Sequence, residues 1–323
     1  MDNFDNILNN APDEGLNGQP GRMAGNSVSE GADGSAAPGS AGQRLSAEEY
    51  AAKKKTEREA IYELSDNTAM EVAADSGRFR QYLDVQANFS RYSAVNALLI
   101  LAQKPEATKL GDFDYWKNQN AYVGKGQTGI SILEPGREYR REDGSVGVSY
   151  NIKKVFDVSQ VDARKMKQAP VVARDERQIL KALISQAPMK ITGADELPDG
   201  LGARTDPDTG EIQVLKGMSF ADTFRSLAHE LCLAEADEAI GEGEVVDPRF
   251  TAYCASYVLC RKNGVDTKDY QFDSAGEIFG GMDAQAVKRE LSQIRDAADA
   301  VSGRMARQLG AVTKAVKSRE EAR

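Results

Sequence analysis

The sequence predicts an α+β protein of two domains. Three observations predict it. Charged runs with apolar residues at helical spacing alternate with short β-branched and aromatic runs set between glycines, the composition changes sharply near residue 45, and a polar joint falls near Arg164 to Pro170. The expected divisions are a disordered tail over 1–45, a domain of helices plus a small curled β-sheet over 46–168, a mostly helical domain with a short sheet over 169–281, and a C-terminal helix over 282–323.

Residues 1–45 are dominated by Gly, Asn, Ala, Ser, Asp and Pro and hold almost no large apolar residue after Leu16. Burial there cannot offset the entropy of ordering the chain, so disorder is expected. Ser46-Ala47-Glu48-Glu49 reads as a capped start for a charged helix running to about Val72. A second helix is predicted over Arg78 to Gln103, where Leu83, Ala87, Tyr92, Val95, Leu98 and Leu99 recur at helical spacing until Lys104-Pro105 stops it. Beyond Gly111 the pattern turns to short strands at 121–123, 129–133 and 146–156, around the turn Glu142-Asp143-Gly144.

The second domain opens with a helix over Glu176 to Ala187. A strand-turn-strand follows from Ala203 to Leu215 around Asp206-Pro207-Asp208-Thr209-Gly210. Ser219-Phe220-Ala221-Asp222 begins the helix that carries His229, another helix spans about Asp247 to Asn263 with Gly264 as its stop, and a long helix begins near Asp283. In that last segment Val287, Leu291, Ile294, Ala298, Val301, Met305, Leu309, Val312 and Val316 step by three and four. Such a stripe suits a helix laid over the domain and then projecting, or a coiled-coil partner helix interrupted by Ser302-Gly303.

The net charge of -9 is unevenly spread. Residues 1–45 carry 2 basic against 6 acidic groups, residues 46–170 carry 19 against 18, and residues 171–323 carry 20 against 26. Within the middle region Lys117 to Lys154 holds 7 basic against 4 acidic residues, so nucleic acid, if bound, would meet this part. The three cysteines, Cys232, Cys254 and Cys260, show no disulfide framework and fit a reducing compartment. The acidic start Met1-Asp2-Asn3-Phe4-Asp5 is unlike a signal peptide, and the longest apolar run, Ala97 to Ala102, is far short of the roughly 20 residues that span a bilayer. A cytoplasmic protein with no membrane partner is expected.

Two sets of residues carry candidate chemistry. In the middle region Tyr92, Trp116 and Tyr122 offer faces for base stacking, while Lys117, Lys125, Arg140, Arg141, Lys153 and Lys154 offer charge for phosphates, the pairing that single-strand binders use. Taken alone, each aromatic reads first as core packing and each lysine first as a solvated position. Asn96, polar within an apolar helical run, either satisfies a buried backbone group or faces a groove. Gly124-Lys125-Gly126 lacks the spacing of a Walker A loop, so no nucleotide site is expected there.

The other set is Leu227-Ala228-His229-Glu230-Leu231-Cys232-Leu233. A zinc-peptidase helix carries His-Glu-x-x-His because residues four apart share a face, so two imidazoles hold one ion beside a general-base glutamate. Here the second position is Leu233, and His229 is the sole histidine of the chain. At about 100° per residue, Phe220, Phe224, Leu227 and Leu231 form one stripe, with His229 about 180° away and Leu233 only about 40° from His229. The histidine face is thus separate from the core face, although a lone histidine held by hydrogen bonds is the simplest alternative. Cys232 and Cys254 offer His229 a conceivable zinc site completed by Glu235 or water, yet free cysteines are commonly small buried hydrophobes. No cofactor is expected beyond zinc through that set.

The middle region resembles the N-terminal single-stranded-DNA-binding domain of ArdC-type antirestriction proteins. The resemblance lies in Arg91 to Ile100, Gln103 to Thr108, Phe113 with Trp116, Val123 to Pro135 and Val155 to Gln160, in family order. Residues of about 170–280 resemble the compact zinc metallopeptidase domain of the ImmA/IrrE type, through Gly202-Ala203, Asp206 to Gly210, Ile212 to Val214, Thr223 to Leu231, Ala252 to Cys260 and Gly264 to Thr267. That second resemblance implies a zincin-like fold with zinc held by two histidines and an acidic residue, Glu230 as general base and His229 as a vestigial first ligand. Leu233 stands at the second histidine position and Tyr253 about where the acidic ligand is expected. Together the resemblances imply an antirestriction-like single-stranded-DNA-binding protein of a mobile genetic element, a phage or conjugative element, with an inactive peptidase domain. The alternatives are a zinc metallopeptidase with an altered metal site, or a pseudo-peptidase whose cleft binds a protein or peptide.

Overall fold

The structure, a computed structural model, describes residues 46–141, 143–164, 166, 175–185, 187–240 and 247–321. It is α+β. The expected disorder of residues 1–45 and most of the polar joint lie outside the described residues. Among the described residues no helix is long and apolar enough to cross a membrane.

Helix α1 (Ala47–Ala74) starts on a reciprocal cap in which Ser46 N donates to Glu49 Oε2 at 2.8 Å and Glu49 N donates to Ser46 Oγ at 3.1 Å. The single helix expected over Arg78 to Gln103 is two: α2 (Ser76–Asn88) and α3 (Ala94–Gln103). The break follows from local chemistry. Ser93 adopts an extended backbone and its hydroxyl accepts from Asn96 N, so it caps a new helix inside an apolar periodicity that reads as continuous.

Next come β1 (Leu110–Gly111), a short helix α4 (Phe113–Asn118) that the sequence reading did not anticipate, β2 (Tyr122–Val123), β3 (Ile130–Arg140), β4 (Val146–Asp157) and β5 (Val161–Asp162). β1, β4 and β3 form one sheet in that order, and β2 pairs antiparallel with β5. Asp157 ends β4 by accepting from Thr108 N, Lys109 N and Ser159 N, which ties the strand end to the chain before β1.

Helix α5 (Glu176–Ser185) leads to β6 (Ile191–Ala194), another unanticipated element, and then to the expected β7 (Ala203–Thr205) and β8 (Ile212–Leu215). The sheet order is β6-β8-β7, with β6 parallel and β7 antiparallel to β8, so β7 lies at an edge. Helices α6 (Phe220–Ile240), α7 (Pro248–Asn263), α8 (Ala275–Ile278) and α9 (Ala284–Glu321) complete the chain. Asp247 caps α7 through Arg249 N, and Gly264 closes it at φ 70°, a conformation glycine adopts without a Cβ penalty.

The chain divides into two compact units, Met1–Tyr62 with Gly136–Ser149, and Glu63–Pro135 with Tyr150–Arg323. In the first, the hairpin tip is held by Arg141 Nη1 donating to Ser145 Oγ at 3.1 Å and Ser149 Oγ donating to Arg137 O at 2.9 Å. In the second, Phe79 of α2 meets Phe250, Phe272 and Phe279 at ring separations of 5.8, 5.5 and 5.4 Å. Each such ring contributes about 1.5–3 kcal/mol by leaving water. Val287, Leu291, Ile294, Ala298, Val301, Met305 and Leu309 of α9 are all buried in this core, so this part of the stripe is a helix laid over its own domain. Lys288 is buried too, its ammonium on Ser65 Oγ and Asp66 Oδ1 of α1.

Candidate nucleic-acid interface and histidine cleft

Helix α3 lies along the open edge of β3. Asn96 Nδ2 donates to Leu133 O and Leu133 N donates to Asn96 Oδ1, both at 2.8 Å. Two turns later Gln103 does the same for Ser131, with Ser131 N donating to Oε1 at 2.8 Å and Nε2 donating to Ser131 O at 2.9 Å. The two carboxamides stand in for a neighbouring strand and fill the hydrogen-bond sites of alternate β3 residues. Of the two roles open to Asn96, the structure shows the buried backbone partner.

Trp116 is fully buried and its indole N–H donates to Phe156 O at 2.9 Å. With Ala121 and Phe156 it forms a small separate core under α4. Its ring has no solvent face, so in this structure it is packing and not a stacking platform, a correction to its place among the candidates. Tyr92 is half-buried, edge-on to Phe89, with its hydroxyl pushed up in pKa by that burial. Tyr122 alone of the three candidate aromatics is open, at 60% exposure.

Phe113 was not among the candidates, yet it is also 60% exposed. Its ring rests 4.6 Å from that of Phe156. Helical spacing gave no signal for this: at about 100° per residue Phe113 and Trp116 lie only about 60° apart, on one face of the helix, so packing alone decides which ring is enclosed. Tyr115 takes the intermediate place over bare Gly111, where a Cβ would lie 2.0 Å from its Cδ1, with Lys109 Nζ 5.8 Å from its ring centre.

Adjacent lysines have opposite surroundings because β4 alternates faces. Lys153 Nζ lies 3.0 Å from Asp112 Oδ2 and 2.8 Å from Glu134 Oε1, and these carboxylates hold its ammonium form well above the usual range. Lys154 Nζ meets only the neutral Ser131 Oγ at 2.5 Å and Gly129 O at 3.3 Å. Lys117 and Lys125 are exposed and have no ion-pair partner among the described residues. Arg140 and Arg141, exposed and half-buried respectively, belong to the first unit.

His229 and Glu230 sit on α6 beside β7. They line a cavity of about 510 Å³ with Leu233, Tyr253, Arg225 and Asp269, among others. β7 presents residues 202 and 206 to β8, through Leu215 N donating to Gly202 O and Asp206 N donating to Glu211 O, each at 2.8 Å. Thr205 N therefore points away from β8, and it donates to Glu230 Oε2 at 2.8 Å, as does Thr205 Oγ1. Glu230 Oε1 lies 3.2 Å from His229 Nδ1. Burial raises the Glu230 pKa, but the hydrogen bonds from His229 and Thr205 outweigh it and hold the carboxyl below its usual range. Both oxygens are engaged, Oε2 fastening α6 to the edge strand and Oε1 facing His229 of the same helix.

The residues present do not fit the metal that the peptidase resemblance implies. Leu233 fills the second histidine position as a partly buried core side chain. The Tyr253 hydroxyl accepts from Gln271 N at 2.8 Å. Cys232 and Cys254 are fully buried, with thiols driven far up by desolvation, and Glu235 is paired to Arg304 at 2.6 Å. Among the described residues no group of three or more His, Cys, Asp or Glu side chains is placed to hold a metal ion. The His229-Cys232-Cys254 set is not brought together.

A comparison with curated proteins finds no match. Among solved structures, the metal-free and Mn(II)-bound crystal structures of the antirestriction ArdC protein from the R388 plasmid are each 18% identical, with a TM-score of 0.45; they cover 67% of this chain and 86% and 85% of their own. Residues 55–177 match the family model for the N-terminal domain of the anti-restriction factor ArdC.

Proposed function

We propose that residues 46–168 are a single-stranded-DNA-binding module of an antirestriction-type protein of a mobile genetic element, acting in the cytoplasm, and that residues 169–281 are a peptidase-derived domain without a working metal site. The observation that carries this reading is the sorting of charge and aromatic surface on the small-sheet region. Among the described residues Lys117, Lys125 and Lys154 pair with no carboxylate and Phe113 and Tyr122 are open, while Lys153, on the other face of β4 from Lys154, is neutralised by Asp112 and Glu134. Phosphates need the first group and unstacked bases the second. The match of residues 55–177 to an antirestriction factor's N-terminal domain supports the same reading.

The test is fluorescence anisotropy of a labelled single-stranded oligonucleotide at two salt concentrations, with a duplex control. Salt-sensitive binding that prefers the single strand is expected. Replacing Lys117, Lys125 and Lys154 together with Gln should reduce the magnitude of the salt slope by about 2, from roughly 0.7 per phosphate contact on single strands. Absence of binding at low salt would overturn the reading.

A further inference from the structure

Phe113 is a large aromatic side chain held open to solvent by a purpose-fit support. Its ring lies 4.6 Å from Phe156, Phe156 is itself buried, and the Phe156 carbonyl is fixed by the Trp116 indole at 2.9 Å. Gly129 completes the support from β3's side. A Cβ there would stand 3.0 Å from Phe156 Cζ and 3.1 Å from Lys154 Cβ, so the bare backbone lets ring and lysine stem close over the strand. Lys154 stands two residues before Phe156 on the same face of β4, and Lys117 stands four residues after Phe113 on the same face of α4. An exposed ring and its support thus share their helix and strand faces with two cations that, among the described residues, pair with no carboxylate.

Resting on the single-strand reading above, we infer that Phe113 is the residue on which a nucleobase stacks, with Lys117 and Lys154 taking the phosphates on either side and Trp116 serving as the buried wedge that sets the ring's angle. Stacking tolerates any base because each has a π-face. The surface therefore selects strands whose bases are free, with little preference among sequences.

The experiment uses the full chain and two probes of equal length, a mixed-sequence single strand and an abasic deoxyribose-phosphate strand. Wild type is expected to bind the base-bearing strand more tightly. Phe113→Ala and Phe113→Leu should each weaken that binding by about five- to 150-fold, leave abasic-strand binding unchanged, and keep the wild-type circular dichroism, while Phe113→Trp retains it. Phe113→Leu preserves apolar cover on Phe156, so a loss there reads the π-face and not the support. Wild-type binding with an unaffected Phe113→Leu variant, or equal affinity for both probes, would overturn the stacking assignment and leave the single-strand reading standing. Wild type that binds neither probe would overturn both.

Discussion

Asn96 and Leu133, 37 residues apart in sequence, exchange two hydrogen bonds of 2.8 Å, one carboxamide serving both backbone groups of one strand residue. Truncating Asn96 to Ala or Leu strands a buried N–H and a buried C=O at once. A loss of about 2 to 6 kcal/mol is expected, at 1–3 per orphaned group, read as a lower urea midpoint with an unchanged m-value. Asn96→Asp does no better, because it keeps the acceptor for Leu133 N but sets a carboxylate against Leu133 O.

Glu230 gives a second test, with a sign in pH. Its carboxyl is held below the ordinary 4.5 in the folded protein, so the ionised form contributes stability that is complete at neutral pH. That contribution is lost as pH falls through the folded pKa, beneath the usual glutamate range. Glu230→Gln should therefore be less stable than wild type at pH 7, with the gap closing on acidification in denaturation series. Thr205→Val removes one of the donors and should move the wild-type acid loss to higher pH.

The cysteines supply a chemical test. Cys232, Cys254 and Cys260 are all buried, and burial pushes their thiols up, Cys260 to about 11. Native protein at neutral pH should resist a thiol-alkylating reagent and take up 3 equivalents once denatured. Protein purified without chelator should carry no stoichiometric zinc, and His229→Ala should not alter its metal content.

Lys288 sets buried charge against packing. Its side chain is 1% exposed while its partner Asp66 is 37% exposed, and desolvation lowers the lysine pKa. Only the lysine has given up its water. Lys288→Met keeps the volume and should be neutral or stabilising in thermal denaturation, whereas Lys288→Ala should cost about 2 kcal/mol or more through the void it leaves.

Local patterns announced the α+β class because helix caps and strand alternation act over a few residues. Ser46 with Glu49, Asp247 and Gly264 mark their helix ends, and Gly210 closes the predicted turn at φ 68°. One miss was local, the Ser93 cap, and the others depend on partners far away in sequence. Ser93 splits a helix whose apolar spacing runs straight through it, and Asn96 could declare only that it needed a partner, which proved to be Leu133. Trp116 and Phe113 are both aromatic residues of one short helix, and only packing against Phe156 decides which is enclosed. Lys153 and Lys154 look identical until Asp112 and Glu134 are placed beside the first. At the cleft, Leu233 showed in advance that the two-histidine spacing was broken, but nothing pointed to Thr205 as the group that occupies Glu230.

The carboxamides on β3 and the carboxylate on β7 also shape what this chain can do to its neighbours. An open strand invites another copy to add itself, and the longest such margin here, along β3, has its Ser131 and Leu133 sites already filled from within. β1 spans two residues and β6 four, too brief to template a growing ribbon. At Ser131, Leu133 and Thr205 the strand edges are closed to recruitment, so another copy meeting the chain there finds backbone groups that have already been taken.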